Sequence, residues 1–458
     1  MYPFFKYSPA NHYFDYGWYN FELLRLLGSA PHGGCDVAEF LEAVTQLRPN
    51  DALSWQRTFL HQAEKVELLA LDARAHGHAA AARNAFLRAS NYFRAAQYLH
   101  PAAPAAERPH LLAVYERSTA CFEAATRLFP HRPRQVAIPY ETEQGRRVGL
   151  PGWLYLPAPS QRLPDRQTPV LVCVGGADST QEELYFLSVA EGPALGYAVL
   201  TFDGPGQGLV LRRDGLPMRP DWESVCGPVL DFLRAYAAGH PDIGLDVDAV
   251  VLTGQSLGGY LALRGAADPR VKACVAVDSF YDMWDLANAR MPGWMVRPWL
   301  GGWMGDWFID WAVCRHGRAD VATRYQFALA QGMFGCASPC DTLREMMRYT
   351  FKLRSRKGED EAGKDYLARI SCPVLISGAA ADPKSFLPEL STDLLYDNLV
   401  NVRKEDKEVW IAKAWSDGGL QAKCGAWSLL QYRTFRFLDE KLSIVRAAAD
   451  EGSTVSDT

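Results

Sequence analysis

The residues best placed to do chemistry lie in Val250-Val251-Leu252-Thr253-Gly254-Gln255-Ser256-Leu257-Gly258-Gly259-Tyr260. An apolar strand-like run ends in a Gly-x-Ser-x-Gly turn, and an Ala/Leu helical pattern follows. The glycines let the backbone reverse sharply and lift the Ser256 hydroxyl clear of the strand end, the arrangement of a nucleophile elbow. The amides of Ser256 and Leu257 then sit at a helix N-terminus, where they can stabilise developing negative charge. A bare Gly-x-Ser-x-Gly is a weak signal. Its place between an apolar strand and a helix makes it specific.

A working serine nucleophile needs an oxyanion site, an acid and a base. Gly175-Gly176-Ala177-Asp178-Ser179-Thr180 follows an earlier strand-like run, and an amide at Gly176 or Ala177 is the expected second oxyanion donor. The bland alternative is a plain turn between strand and helix. Asp203-Gly204-Pro205-Gly206-Gln207-Gly208 is a rigid turn, and with no Lys-Ser/Thr after it a phosphate-binding role is disfavoured. Asp382, just past Val374–Ala381, occupies the strand-end position of a triad acid; a helix N-cap before Pro383 is the competing reading. The base is missing. The histidines are 12, 32, 61, 76, 78, 100, 110, 131, 240 and 316, and none follows the last strand-like run. Gln421 or Lys423 stands there instead. Glutamine is no base at neutral pH, and lysine becomes one only when burial lowers its pKa strongly.

The elements that must position these groups are readable from periodicity. Asp51–Leu71, Ala79–Leu99 and Leu111–Leu128 have helical spacing. Gln135–Tyr140 and Val148–Leu156 read as a strand pair around a turn. Apolar runs at Pro169–Val174, Tyr197–Phe202, Ala249–Thr253, Val271–Val277, Pro373–Ser377 and Glu408–Ala412 then alternate with helical stretches. That alternation is the signature of a mostly parallel, doubly wound sheet. The predicted class is α/β, with an α/β-hydrolase fold. Residues 1–130 form a helical N-terminal region; 131–279 and 350–446 form the core; 280–349 form an inserted lid; 447–458 form a disordered tail. The insertion holds Trp284, Trp294, Trp299, Trp303, Trp307 and Trp311, the last three at i, i+4, i+8. Packing of the cap against the core is the plainer explanation. The sharper one is an aromatic lid, with Tyr281, Trp284, Trp303 and Trp307 over a bulky, apolar or aromatic small molecule.

Composition narrows the classes. Of 458 residues, 48% are hydrophobic and 22% charged, as in ordinary globular chains, and the formal charge of −5 argues against nucleic-acid binding. No run approaches the roughly 18 apolar residues of a membrane span, and no signal-peptide pattern opens the chain, so a cytoplasmic protein with no membrane partner is expected. Only Cys336 and Cys340 of the ten cysteines lie close together, without a histidine downstream, so no metal site and no cofactor are expected.

Several motifs in order resemble one family: Leu87–Arg94, Gly175–Tyr185, Asp203–Gly208, Arg219–Glu223 and Gly254–Ala262. It contains fungal pigment-pathway hydrolases that shorten polyketides, 2,6-dihydroxypseudooxynicotine hydrolase and FrsA-like proteins. The resemblance spans about residues 50–440. It implies a helical N-terminal region on an α/β-hydrolase core, a homodimer, and cleavage of C–C bonds beside a carbonyl by Ser, Asp and His. It places the nucleophile on Ser256 and the acid on Asp382. The family's closing motif resembles Ala-Gly-Leu-His-Cys-Gln, one variable residue, then Gly-Ala. This chain has Gly418-Gly419-Leu420-Gln421-Ala422-Lys423-Cys424-Gly425-Ala426, which puts Gln421 at the histidine.

Three functions follow. The first is a hydrolase with a displaced base; His316 is the only histidine after the elbow. The second is a non-hydrolytic enzyme that holds an enolate in the oxyanion site and performs an intramolecular condensation, cyclisation or isomerisation, with Ser256 as hydrogen-bond donor and Asp382 as base. The third is an inactive binding protein. The second fits an intact elbow without a base best, and the resemblance suggests a fungal polyketide or polyketide–amino-acid substrate in specialised metabolism.

Overall fold

A computed structural model describes residues 17–98, 111–353, 365–381 and 388–446. Asp382, the aromatic N-terminal residues before Gly17 and the expected tail 447–458 lie outside the described residues.

The first layer is helical: α1 (Gly17–Leu27), α2 (Val37–Gln46), α3 (Ala52–Ala75), α4 (Ala79–Tyr98) and α5 (Leu111–Thr126). Asp51 caps α3 by accepting from the amides of Leu53 and Ser54, both at 3.0 Å. The alanines of α3 and α4 allow close packing and leave Trp55, Phe59, Tyr92 and Phe93 as the buried bulk.

An eight-stranded sheet follows: β1 (Arg134–Glu141), β2 (Arg147–Tyr155), β3 (Thr168–Val174), β4 (Ala198–Phe202), β5 (Leu245–Gln255), β6 (Val271–Val277), β7 (Val374–Ala379) and β8 (Lys407–Ala412). Its order is β1-β2-β4-β3-β5-β6-β7-β8, antiparallel across β1/β2 and β2/β4 and parallel elsewhere. The central strands read as continuous apolar runs because both their faces are covered. Leu171, Cys173, Val251, Val275 and Val277 pack into one core with α3–α5 and the helix Trp427–Lys441. Val170, Val172, Leu252, Cys274 and Ala276 face the other core, beneath the helices Glu223–Gly239 and Leu257–Gly265.

Between β6 and β7 the chain leaves the sheet as a cap of five helices: Met283–Asn288, Gly293–Leu300, Asp306–Gly317, Val321–Phe334 and Pro339–Met346. The cap has a small core of its own, built on Met295, Val296, Trp299, Ile309, Val313 and Leu343. The tryptophan spacing resolves differently from the single helical face expected. The helix begins only at Asp306, so Trp303 precedes it and shares no helical turn with Trp307. No helix among the described residues is long and apolar enough to cross a membrane.

Candidate active site

Strand β5 ends at Gln255, and Ser256 carries φ 55° and ψ −121° before the helix Leu257–Gly265 begins. A serine in that region is strained and persists only where its surroundings fix it. Here the Ser256 amide donates to Val277 O on β6 at 2.8 Å, and the following turn closes with Gly259 N to Ser256 O at 3.0 Å. The flanking glycines are required sterically. A Cβ at Gly254 would stand 2.1 Å from Gly258 O, and one at Gly258 would stand 2.5 Å from Val174 O.

The loop after β3 lies against this elbow. A Cβ on Gly176 would sit 3.2 Å from Gln255 O and 3.5 Å from Gly258 N. Gln207, in the Gly-rich turn after β4, holds the loop from below: its Nε2 donates to Gly175 O at 2.6 Å, and its Oε1 accepts from Gly204 N at 2.9 Å. Asp203 of the same turn accepts from the amides of Gln181 and Leu209, both at 2.9 Å, and from the Tyr115 hydroxyl at 3.2 Å. That turn thus positions the loop after β3.

Two cavities of about 200 Å³ each meet at the elbow, and Ala177, Ser256, Gln326, Leu329 and Gln421 line both. One is apolar and lies under the cap, walled by Phe280, Met283, Ala330, Met333, Phe334 and Met346; Leu257 and Asp278 also reach it. The other is polar and lies under α1, walled by Glu22, Arg25, Tyr98, Asp178 and Tyr325, with Gly176 at its edge. The structure therefore gathers Ser256, Leu257, Gly176, Ala177 and Gln421 in one place. The expected aromatic lid is not among the walls. Trp303 and Trp307 are 90% and 73% exposed on the outside of the cap. Trp284 packs against Trp299, ring centroids 6.0 Å apart. Tyr281 donates to the carboxylate of Asp365. The aromatic wall comes instead from Phe280, Phe327 and Phe334, together with methionines.

Gln421, which the resemblance aligns with the family's histidine, is anchored to the backbone beside β6. Gln421 Nε2 donates to the backbone carbonyl of Asp278 at 3.0 Å. An amide that meets a carbonyl must present its NH₂, so its oxygen turns the other way. That Oε1 is buried and meets no partner among the described residues. The loop is tight: Ala422 and Lys423 both have positive φ, at 55° and 54°. Lys423 is fully buried and lines neither cavity. Its Nζ lies 2.8 Å from Asp278 Oδ1 and 3.1 Å from Gly378 O, above the Trp410 ring at 4.4 Å. Burial pulls the Lys423 ammonium below its ordinary pKa, while Asp278 works against that pull. Asp278 also accepts from Ser377 Oγ at 2.8 Å and from Lys423 N at 3.3 Å.

Sequence reasoning missed Asp278 and Glu22. Asp278 was visible as a polar residue at a strand end. Glu22 gave no local signal. His316 lies on the cap beside Asp320 and lines neither cavity. Among the described residues no cluster of His, Cys, Asp and Glu could hold a metal, and Cys336 and Cys340 are free thiols.

The arrangement matches known proteins over its whole length. Residues 171–400 match the model of the Alpha/beta hydrolase family. The chain is 59% identical over 456 residues to the alpha/beta hydrolase ucsC of Acremonium sp, covering 98% of this chain and 92% of that protein. It is 43% identical over 454 residues to the hydrolyase ccsE of Aspergillus clavatus, covering 97% and 99%. Among solved structures, 2,6-dihydroxy-pseudo-oxynicotine hydrolase has the same fold at a TM-score of 0.64 and 18% identity, over 91% of this chain and 96% of that one. The elbow, the sheet order and these relatives agree that the chain belongs to the alpha/beta hydrolase family.

Proposed function

We propose that this family member is a non-hydrolytic carbonyl enzyme of fungal specialised metabolism, catalysing an intramolecular condensation or cyclisation of a small molecule with a bulky apolar body. The observation that carries this reading is Gln421. A side chain without a usable basic nitrogen stands at the elbow, anchored through its NH₂, with its oxygen uncommitted. Without an imidazole hydrogen-bonded to it, Ser256 is a poor nucleophile at neutral pH and a good hydrogen-bond donor.

In this reading a base takes the proton from a carbon beside a carbonyl, and the amides of Leu257 and of Gly176 or Ala177 hold the enolate oxygen that the C–H electron pair creates. The Ser256 hydroxyl adds a third donor. The apolar cavity under the cap folds the substrate so that the enolate carbon meets a second carbonyl of the same molecule. The new C–C bond takes the enolate's electron pair, and the resulting alkoxide takes a proton. Positioning and oxyanion stabilisation of this kind supply about 10³–10⁴ in rate even in hydrolases stripped of their triad.

The relatives named as hydrolases favour a second reading, in which Ser256 is acylated with help from a base elsewhere. Intact-protein mass after exposure to a fluorophosphonate separates the two. The expected result is an unlabelled parent and Ser256→Ala, with slow labelling gained in Gln421→His. A parent that labels, and stops labelling in Ser256→Ala, would return the protein to hydrolysis.

A further inference from the structure

We propose that Glu22, carried by α1 into the polar cavity beside Ser256, is the proton-transfer group of this site. The inference rests on the carbonyl reading above, and it assigns to a described residue the base role that the sequence offered to Asp382.

The argument starts from charge matching. Around the polar cavity Glu22, Asp178 and Glu183 face Arg25 and Arg94: three carboxylates against two guanidiniums. Arg25 is committed elsewhere. Its Nε and Nη2 form a fork with Glu183 at 2.7 and 2.6 Å, and its Nη1 meets Asp178 at 2.6 Å. Arg94 adds a contact to Glu183 at 3.3 Å. Among the described residues Glu22 receives the remainder, Arg25 Nη1 at 3.5 Å and the Tyr98 hydroxyl at 2.6 Å. Being almost wholly buried, it cannot make up the difference with water.

Those surroundings separate the two carboxyls that line the cavity. Burial pushes Asp178 up, but Arg25 outweighs it and holds the group below the ordinary range. Burial also pushes Glu22 up, the Asp178 charge pushes it further, and Arg25, Tyr98 and Arg94 pull back; the balance leaves it at about 7. The remaining titratable neighbours stay neutral there. The Tyr98 and Tyr325 phenols and the Cys424 thiol are all driven upward by burial. A carboxyl that exchanges its proton near neutrality, in a cavity shared with an oxyanion site, can take a proton from a carbon beside a carbonyl and return it to the alkoxide. Glu182 is pushed up as well, to about 8, but it packs beside Asp203 beneath the loop and lines neither cavity.

The test uses 5-nitrobenzisoxazole on the full chain. A base removes its C3 proton, the C–H electron pair completes a nitrile, the N–O bond breaks and a phenolate leaves, so no oxyanion site is needed. The expected rate rises with pH through a midpoint near 7, falls about tenfold or more in Glu22→Gln, and returns in part in Glu22→Asp. Tyr98→Phe removes a donor that favours the charged carboxylate and moves the midpoint upward. A parent with no rate above buffer, or a Glu22→Gln variant with the parent's rate and midpoint, overturns the proposal. So does a Glu22 carboxyl that titrates in the ordinary glutamate range by carbon-13 NMR, a readout independent of the probe. Fluorophosphonate labelling at Ser256 would sink the carbonyl reading without touching any of these outcomes, so the two failures are distinguishable.

Discussion

Replacing Lys423 by methionine tests how the loop that carries Gln421 is held. Methionine keeps most of the buried volume and can still lie against the Trp410 ring. What it removes is the ammonium, 2.8 Å from Asp278 Oδ1 and 3.1 Å from Gly378 O. The Asp278 carboxylate is then left buried with only two donors, Ser377 Oγ at 2.8 Å and the amide of residue 423 at 3.3 Å. Breaking a buried pair from one side costs about 3–5 kcal/mol, since the surviving charge has lost its partner and cannot reach water. Gly378 O loses a donor as well, which places the expectation in the upper half of that range.

The same reasoning fixes the double variant. Asp278→Asn in the Lys423→Met background removes the stranded charge and keeps an oxygen for Ser377. It should recover about 2 kcal/mol or more of the loss, a coupling of the size seen for side chains in direct contact. Urea unfolding followed by circular dichroism measures all four corners of the cycle. A Lys423→Met midpoint equal to the parent's would refute the reasoning, because it would mean that the pair contributes nothing to holding the loop. A double variant no better than the single would refute it differently, by showing that the cost came from lost packing and not from the charge.

Two further outcomes follow from steric fit. Gly258→Ala places a Cβ 2.5 Å from Val174 O and 3.0 Å from Gly175 C; it should lower stability by about 1–3 kcal/mol as the loop after β3 is pushed aside, read as a fall in the urea midpoint. Ala330→Trp fills the apolar cavity from its wall; it should abolish the fluorescence of an apolar dye bound there while the polar cavity, read by the benzisoxazole rate, keeps its function.

The sheet was legible because its central strands are covered on both faces. Such strands must be apolar throughout, so runs such as Val271–Val277 mark themselves. The elbow was legible for a steric reason: two glycines are needed where β5 and the next helix nearly touch. The aromatic lid was misplaced because periodicity reports which residues share a face and says nothing of where that face looks. Trp303 and Trp307 look outward, and methionines, which carry no such signal, line the cavity with three phenylalanines. The Lys423–Asp278 pair joins positions 145 residues apart, as their hydrogen bond spans, and Glu22 reaches the site only because α1 folds back across the loop after β3. Contacts of that range leave no local pattern to read.

The Gln421→His variant carries the argument one step further. An imidazole at this position inherits the contact that Gln421 now makes, so one ring N–H would donate to Asp278 O and the other nitrogen would face the cavity near Ser256. That sets a usable tautomer, but the partner among the described residues is a neutral carbonyl and not a carboxylate. In serine hydrolases the buried carboxylate orients the imidazole and also stabilises the imidazolium that forms in the transition state. The Asp278 carboxylate cannot take that role here while it is held by the Lys423 ammonium, its backbone amide and Ser377. Gln421→His alone should therefore label slowly. Adding Lys423→Met frees the Asp278 carboxylate beside the new imidazole and should raise the labelling rate, provided that the variant is assayed below its unfolding midpoint. If Gln421→His labelled at full speed by itself, Asp278 would be irrelevant to the site's electrostatics, and the single exchange of histidine for glutamine would be all that separates this pocket from a serine hydrolase.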